Sequence, residues 1–320
     1  MANPNIGQAA AVTFERVMAR EPADNVFTSQ ALLNLIKGGN GFKKGGGDSI
    51  EEPLEYAENT TFRSYGELET LDTTRVDVFD AATYTWKQPV CGTIVFSQLE
   101  MLKNSEGDRK IDLVARKVDN DKNSAKAVLN RMLYADGTGN GGLDCLGLAA
   151  LVSSTPTTGT VGGINRATFA FWRNRQTSGA QTAAAFDNLR GAMRTIYNNC
   201  SKGAADEHPT DFIFHQTPFQ GYEGTLTTNE RFTSKAEGDG GFKNETLKFK
   251  GSMATFDEDA PSGTCYALND RNLFFRYLAW MKTFPAVDPS NQLSEVIKVM
   301  TTGQLTTNNP RRLGVITAIT

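Results

Sequence analysis

The chain has 320 residues, a formal net charge of −3, 39% hydrophobic residues and 22% charged residues. This composition is typical of a globular protein with one large domain or two modest ones. It argues against a polybasic nucleic-acid binder, and the sequence has neither an apolar run of about 18 residues nor a secretory signal. The four cysteines are widely spaced, which predicts free thiols rather than a disulfide framework or a zinc site.

The first third of the chain changes character at a glycine-rich stretch. Residues 1–40 have an amphipathic pattern but no evident core of their own, and residues 37–47 contain six glycines, which predicts a hinge or mobile loop. Apolar residues alternate with polar ones in 74–86, and a second strand-like run covers 93–96. We therefore expect a two- or three-stranded excursion between 48 and 96. Such a ribbon is barely stable alone, so we expect it to lean on another element or another subunit.

A long amphipathic helix is predicted within residues 97–137. Helix-start signals occur at Ser97 and again at Ser105, with a short break between them. Apolar residues then recur at helical spacing from Ile111 to Leu133, with charged and polar residues between them. Gly137 is the predicted stop, because glycine readily adopts the left-handed conformation that ends helices. Other elements can pack along a helix of this length.

The remainder of the chain predicts a mixed α+β, non-barrel architecture without internal repeats. The predicted elements are a short helix in 143–152, a polar connector at 153–163, a helix over 182–200, a strand over 209–214, a helical or turn region at 218–222, strands within 242–256, an exposed turn at 257–263, and strands over 265–268 and 273–278. Residues 293–301 fit a helix or a strand. The last strand, over 313–319, is expected to pair back across a turn at Gly303.

Motifs for nucleotide or metal binding are weak in this sequence. Gly137, Gly139 and Gly142 fit a G-x-G-x-x-G pattern, but they follow a helix, whereas a dinucleotide site needs them after a strand. The glycines of 38–47 lack the Gly-Lys-Ser/Thr ending of a phosphate loop. The acidic run 257–259 could bind a hard cation, although a solvated turn is the favoured interpretation. We expect no cofactor and no metal.

Catalytic residues are equally scarce. The chain has two histidines, His208 and His215, and no serine in a G-x-S-x-G elbow. The sequence therefore predicts a protein that is not an enzyme. The alternative of an unrecognised α+β enzyme stays open, and it predicts a pocket that brings one histidine to a carboxylate.

A loop over 160–174 concentrates aromatic and arginine side chains without a helical or strand period. Arginine and aromatic residues are enriched where one protein surface binds another, but the rings could equally be buried under the loop itself. Both interpretations stay open. The candidate inter-subunit contacts are Lys43, Lys44, Trp86, Arg166, Phe169, Phe171, Trp172 and Arg173.

Several segments together resemble a known family. They are Tyr134-Ala-Asp-Gly-Thr-Gly139 at the end of the long helix, the loop 157–168, Phe171-Trp-Arg-Asn174, and Asn308-Asn-Pro-Arg-Arg-Leu-Gly314 before the last strand. In this order the chain resembles the major capsid proteins of tailed bacteriophages, which have the Hong Kong 97-like fold. The resemblance covers essentially the whole chain, and the two loops carry most of its specificity.

The resemblance implies a role for each segment. Residues 1–40 would form an N-terminal arm, 41–96 an extended loop (E-loop) over a neighbouring subunit, 97–179 the peripheral domain with its spine helix, 180–272 the axial domain, and 273–320 the return strands of the peripheral domain. Glycines at the base of the E-loop would let one chain fit non-equivalent positions.

The resemblance also implies what the protein does and with what. Such proteins assemble through pentamers and hexamers into an icosahedral head around double-stranded DNA, without sequence specificity and without a membrane. A separate scaffolding protein, a portal and in some cases a decoration protein would be partners. Assembly would take place in the bacterial host cytoplasm, and the protein would reside in the virion capsid. A nanocompartment shell of the encapsulin type is the alternative with the same fold.

Overall fold

The computed structural model describes residues 30–39, 41–99, 113–180, 186, 188–201, 207–226, 247–287 and 292–319. Its α-helices are α1 (Ala31–Gly38), α2 (Leu113–Tyr134), α3 (Gly139–Gly142), α4 (Leu148–Leu151), α5 (Leu189–Cys200) and α6 (Gln216–Thr225). Its strands are β1 (Phe42–Lys44), β2 (Ser49–Glu55), β3 (Phe79–Thr85), β4 (Val90–Ser97), β5 (Thr160–Val161), β6 (Ile164–Asn165), β7 (Arg175–Ser178), β8 (Asp211–Phe214), β9 (Leu247–Phe249), β10 (Ser252–Phe256), β11 (Cys265–Leu268), β12 (Leu273–Thr283), β13 (Ser294–Thr307) and β14 (Gly314–Thr317). The mixed α+β prediction is confirmed.

The described residues form two compact units. Unit 1 contains 90–99, 113–129, 279–287 and 292–301, and unit 2 contains the other described residues. In unit 1, β4 pairs antiparallel with β13, from Ser97 opposite Ser294 to Val90 opposite Thr301. This pairing decides the ambiguous run 293–301 in favour of a strand.

The core of unit 1 follows from the alternation along its strands. Ile94 and Phe96 point to the same face of β4, and with Val299 they form a buried cluster. Val118, on the apolar face of α2, packs against this cluster. The amphipathic pattern of the sequence therefore identifies the correct face of this part of α2.

Unit 2 is built around a six-stranded sheet of order β7-β14-β11-β8-β10-β9. The pairs β8–β10 and β7–β14 are parallel, and the other pairs are antiparallel. One face of the sheet packs against α5, whose Met193 and Ile196 are fully buried with Phe212 and Ile316. The predicted strands at 209–214 and 265–268 are the central strands β8 and β11.

The predicted turn at Gly303 is wrong, and so is the predicted pairing of the last strand. Gly303 lies inside β13, where a Cβ atom would stand 2.7 Å from the ring of Phe275 and 2.8 Å from the carbonyl oxygen of Arg276. Glycine is needed at this position for close packing rather than for chain reversal. The last strand, β14, pairs with β7 and β11.

The described part of the glycine-rich stretch contains regular secondary structure, and Asn40 lies outside the described residues. Gly38 ends α1, and β1 pairs parallel with residues 275–277 of β12. A Cβ atom on Gly41 would stand 2.5 Å from the carbonyl oxygen of Leu273, so glycine here permits two backbone segments to approach closely. Leu32, Leu33 and Ile36 of α1 are completely or almost completely buried, so α1 is part of the core of unit 2.

The predicted exposed turn at 257–263 is wrong for its first residue. Asp257 is 1% exposed, and its carboxylate accepts hydrogen bonds from Leu32 N (3.3 Å), Asn130 Nδ2 (3.1 Å) and the Tyr134 hydroxyl (3.0 Å). Burial and the Asp257 carboxylate raise the pKa of Tyr134 well above its usual value, so the hydroxyl keeps its proton. Asp257 thus joins the start of α1 to the end of α2.

The helix predictions hold in part. Ser97 ends β4, Gln98 and Leu99 are helical, and residues 100–112, with the second predicted start at Ser105, lie outside the described residues. Helix α2 ends at Tyr134, three residues before Gly137, whose φ of 82° fits the predicted left-handed conformation. The predicted helix at 143–152 shortens to α4, and the one at 182–200 is described from Leu189, as α5.

Candidate functional site: an anchored hairpin and the loops beside it

Strands β2 and β3 form a two-stranded hairpin in unit 2. Seven residue pairs align the strands, from Ser49 opposite Thr85 to Glu55 opposite Phe79. One face of the hairpin is buried and carries Ile50, Glu52 and Leu54 from β2 and Ala82 and Tyr84 from β3. This face provides the support that a ribbon needs, so the predicted excursion is confirmed for β2 and β3, which lean on their own subunit. The strand-like run 93–96 is not part of it, because it belongs to β4, which pairs with β13.

A buried ion pair anchors the inward face of the hairpin. The Glu52 side chain is 2% exposed, and its carboxylate accepts two hydrogen bonds from Arg276, at 2.7 Å from Nε and 2.8 Å from Nη2. Thr306 Oγ1 donates a third, at 2.9 Å. These bonds raise the pKa of Arg276. A bidentate pair fixes both distance and orientation, so it sets the direction in which β2 leaves the core.

The sequence interpretation missed this anchor, although a signal was present. Glu52 occupies an inward position between Ile50 and Leu54 in a period-two pattern, where an apolar residue is expected. A carboxylate at such a position requires a buried partner. The partner, Arg276, lies more than two hundred residues away in sequence, and only the fold brings the two together.

Strand β3 is held by uncharged contacts. The Tyr84 hydroxyl donates to the carbonyl oxygen of Thr307 at 3.0 Å, and Thr83 N donates to the carbonyl oxygen of Gly162 at 2.9 Å. A Cβ atom on Gly162 would stand 2.9 Å from Cβ of Ala82, so this glycine allows the hairpin to lie directly on the loop backbone. Burial raises the pKa of Tyr84 above its usual value.

The base of the hairpin is closed by Trp86. Its Nε1 donates to the carbonyl oxygen of Gly47 at 2.9 Å, and its ring lies 2.5 Å from where a Cβ atom of Gly45 would stand. The neighbouring Lys87 donates from Nζ to the carbonyl oxygen of Gly142 at 2.5 Å. These contacts give Trp86 an intramolecular role, whereas its predicted contact with a neighbouring subunit stays a prediction.

The tip of the hairpin, residues 56–78, is ordered by local contacts rather than by a core. The Tyr65 hydroxyl donates to the carbonyl oxygen of Thr61 at 2.8 Å and accepts from Asp72 N at 3.1 Å. Four large apolar side chains on and beside the tip remain exposed in the subunit: Phe62 (85%), Leu68 (98%), Leu71 (66%) and Phe79 (75%). Exposed apolar residues in this density are typical of a surface that another protein covers.

Two of the predicted contact residues in the loop 160–174 are buried inside the subunit. Trp172 is 1% exposed and donates from Nε1 to the carbonyl oxygen of Val161 at 2.9 Å. Arg166, also 1% exposed, donates to the carbonyl oxygens of Ala150 (3.0 Å) and Leu151 (2.5 Å) at the end of α4. Burial lowers the pKa of Arg166. Of the two interpretations left open, burial under the loop holds for these two side chains.

The other predicted contact residues remain accessible to different degrees. Phe169 is 46% exposed and lies 5.8 Å from Phe171, whose ring in turn stacks on Tyr56 at 5.5 Å. Arg173 is half-buried and bonds the carbonyl oxygens of its own loop. Lys43 and Lys44 are exposed on β1. Their contacts with a neighbouring subunit stay predictions.

The residues considered for catalysis have structural surroundings. His215 accepts a hydrogen bond from Thr217 N and caps α6, and the His208 ring packs beside Tyr197. Within the described ranges, no cluster of three or more histidine, cysteine or acidic residues could hold a metal ion. The helices of the described part include none that is both long and apolar enough to cross a membrane.

Comparisons with known proteins assign the fold. No family model and no curated protein sequence matches the chain. Among solved structures, the capsid subunit of cyanophage A-1(L) has a TM-score of 0.73 at 14% identity, covering 93% of this chain and 95% of that chain. The capsid of Myoviridae phage XM1 gives a TM-score of 0.61 at 12% identity over 96% and 98%.

A third similar structure is an encapsulin complex. The holo-SrpI encapsulin of Synechococcus elongatus PCC 7942 gives a TM-score of 0.61 at 11% identity, covering 100% of this chain and 96% of that chain. These likenesses span almost the full length of each protein, so they describe the whole fold rather than a shared motif. The chain therefore has the fold of the capsid subunits of tailed bacteriophages and of related shells.

Proposed function

We propose that this chain is a major capsid protein that self-assembles through pentamers and hexamers into the icosahedral head of a tailed bacteriophage. The observation that carries the proposal is the likeness to phage capsid subunits over nearly the whole of both chains. The protein would reside in the virion capsid, be assembled in the bacterial host cytoplasm, and enclose double-stranded DNA without reading its sequence.

The hairpin supports this proposal physically. It is anchored at its inward face, yet four large apolar side chains on and beside its tip are exposed and would stay in water in a monomer. A neighbouring copy that covers the tip would remove this apolar surface from solvent. We assign the hairpin to the E-loop of residues 41–96.

The remaining segment roles follow the same scheme. We assign 1–40 to the N-terminal arm, 97–179 and 273–320 to the peripheral domain, and 180–272 to the axial domain at the centres of pentamers and hexamers. A scaffolding protein, a portal and a decoration protein would be its partners. The role is structural, with no catalytic activity and no cofactor.

An encapsulin-type shell is the second candidate, and the likeness to the encapsulin complex supports it. The two functions differ in what the shell contains. A phage head holds nuclease-protected double-stranded DNA, whereas a nanocompartment holds a protein cargo.

Electron microscopy and sedimentation of the purified protein, alone and co-expressed with a scaffolding protein from the same genome, test the proposal. Closed shells, or discrete pentamers and hexamers, are the expected result. A protein that stays monomeric with its scaffold present would contradict it. Shells from the native host with protected DNA distinguish the phage head from the nanocompartment.

A further inference from the structure

The hairpin carries a charge that sets it apart from the rest of the chain. Residues 48–80 contain ten acidic and two basic residues, a formal net charge of −8, while the whole chain carries −3. The residues outside this stretch therefore carry a net charge of +5. The small net charge of the whole chain is therefore the sum of a strongly acidic hairpin and a basic remainder.

Most of these carboxylates have no basic partner among the residues that the structure describes. Glu52 pairs with Arg276, Glu69 with Arg63 at 2.8 Å, and Asp77 with Arg75 at 3.1 Å. The other seven are exposed and make no ion pair with any described residue: Asp48, Glu51, Glu55, Glu58, Glu67, Asp72 and Asp80. Their mutual repulsion is relieved when a positively charged surface lies against them.

A basic surface of suitable form lies on β1. This strand is the outermost of its sheet, and Lys43 and Lys44 are both exposed on it with no carboxylate partner among the described residues. Lys43 Nζ lies 4.5 Å from the centre of the Phe274 ring, and the guanidinium of Arg276 lies 5.3 Å from the same ring. Because successive side chains of a strand point to opposite faces, the two lysines flank the outer edge of β1, one on each face. They supply the net positive charge of this patch, since the charge of Arg276 is neutralised by Glu52.

The lysines cannot neutralise the acidic tip of their own hairpin. Strand β2 is seven residues long and extends about 20 Å at about 3.3 Å per residue, so Glu55 and the acidic residues beyond it lie far from its beginning. Exposed charges separated by more than about 8 Å are largely screened at physiological ionic strength. A second copy of the chain can bring the two surfaces into contact.

We propose that the acidic outer end of the hairpin of one copy, from Glu55 to Asp80, docks on the Lys43–Lys44 patch of a second copy. The inference rests on the proposed shell function and names the chemistry of its subunit contact. The apolar side chains of the tip then supply buried area, and the opposite charges supply steering and register. Opposed charges in such a contact accelerate association and make it sensitive to salt.

A charge exchange tests the docking. Each of two variants reverses the charge of one of the two surfaces: Glu55→Lys/Glu58→Lys/Asp80→Lys on the hairpin, and Lys43→Glu/Lys44→Glu on β1. We expect each to raise the protein concentration needed for assembly by about tenfold or more. The chain that carries both sets restores assembly, because every copy then offers a basic tip and an acidic patch. The milder Lys43→Gln/Lys44→Gln variant covers the case in which the double reversal disturbs folding.

In the matched control, Lys43 and Lys44 stay unchanged and a different pair of exposed lysines is reversed. Combining the hairpin reversal with Lys248→Glu/Lys250→Glu should leave assembly impaired. Monomer folding is followed by circular dichroism, and assembly by light scattering between about 0.1 and 1 M salt. Full assembly of Lys43→Gln/Lys44→Gln at all salt concentrations, or no restoration in the exchanged chain while each monomer folds, would overturn the docking. Failure of the unmodified protein to form shells with its scaffold would instead overturn the proposed function.

Discussion

Individual side chains in unit 2 have chemical surroundings that their positions in the sequence do not reveal. Asp211 stands at the beginning of a central strand, and burial raises its pKa to about 6, with the nearby Asp270 carboxylate acting in the same direction. Thr210 Oγ1 donates to its carboxylate at 2.6 Å. An acid whose pKa is raised in the folded protein favours folding while protonated, and this contribution is lost as the pH rises through the folded pKa.

We therefore expect Asp211→Asn to stabilise the folded protein at neutral pH. Relative to the unmodified chain, its free energy of unfolding should be nearly unchanged below pH 4, rise mainly between pH 4 and pH 6, and level off above pH 6 at a gain of about 3 kcal/mol at most. Chemical unfolding at several pH values measures the difference. The exposed Asp119→Asn is the matched control, with an expected change below about 0.5 kcal/mol. A gain in the free energy of unfolding of Asp211→Asn that does not vary with pH would refute the raised pKa of Asp211.

Gly303 gives a second prediction for a single residue. Gly303→Ala places a methyl group 2.7 Å from the Phe275 ring and should lower the free energy of unfolding by about 1–3 kcal/mol. Gly92→Ala, in the exposed part of β4 with nothing within 4 Å of its Cβ position, is the control and should be nearly neutral. Thermal unfolding of both variants compares them. Equal stability would show that β13 has room at this position.

Among secondary-structure elements, the sequence predicts best where local pattern and burial agree. Strands β8 and β11 are apolar runs in the middle of a sheet, and part of the apolar face of α2 is correct. The predictions fail where a distant partner decides the outcome. Asp257 is buried because Leu32, Asn130 and Tyr134 donate to it, and no local pattern contains this information.

The candidate site shows the same division. Alternation along 74–86 predicts a strand, of which the structure forms Phe79–Thr85 with Tyr84 facing inward, while residues 74–78 lie outside it. The exposed lysines of β1 were identified as candidates. The Glu52–Arg276 pair was missed because it depends on a contact between remote segments. The burial of Trp172 and Arg166 was left open because composition alone does not distinguish a surface loop from one folded over its own rings.

Helix α2 can be tested through Val118. Val118→Asp introduces a carboxylate beside the apolar cluster of Ile94, Phe96 and Val299 and should destabilise the subunit by about 2–3 kcal/mol. Val118 is only half-buried, so the carboxylate can turn partly toward water, which keeps the expected loss below that of a fully buried charge. Asn120→Asp, on the exposed face, is the control. If Val118→Asp leaves the free energy of unfolding unchanged, this face of α2 does not pack against the cluster.

The hairpin anchor makes a prediction that separates pairing from packing. Arg276→Leu leaves the Glu52 carboxylate buried with only Thr306 as a side-chain donor, and should cost about 3–5 kcal/mol. The double variant Glu52→Leu/Arg276→Leu should cost clearly less, because no unpaired charge remains. Urea unfolding of the single and double variants completes the cycle. A double variant as unstable as the sum of the two single ones would show that the ion pair does not couple the strands.

At the scale of the whole molecule, the structure separates the part of the hairpin that supports folding from the part available for contacts. The inward face from Ile50 to Leu54 is buried, so removing the entire hairpin would expose core surface. The tip lacks a core of its own, and Tyr56 N donates to the carbonyl oxygen of Val78 at 3.0 Å at its beginning. The tip can therefore be removed at this pair without uncovering the core.

We expect replacement of residues 57–77 by an Asn-Gly turn to leave a folded subunit that no longer forms closed shells. A two-residue turn of this kind suits an antiparallel pair, so Tyr56 and Val78 can remain opposite each other. Chemical unfolding followed by circular dichroism should give a free energy of unfolding within about 1 kcal/mol of that of the unmodified chain. Electron microscopy should show open or absent shells. The control replaces Thr60 and Thr70, both exposed on the tip, by serine and should assemble normally. Normal shells from the shortened chain would contradict the E-loop assignment.

The strand order of unit 2 also has a consequence for protein synthesis. Strand β14, near residue 317, lies between β7 and β11, which are translated earlier, and joins them through one parallel and one antiparallel pairing. A nascent chain that has exposed the other described strands of this sheet still has a gap in it, and among these strands β7 has no partner until β14 leaves the ribosome. Of the six strands of this sheet, the last to be translated thus completes it, which reserves assembly for subunits in which β14 has left the ribosome.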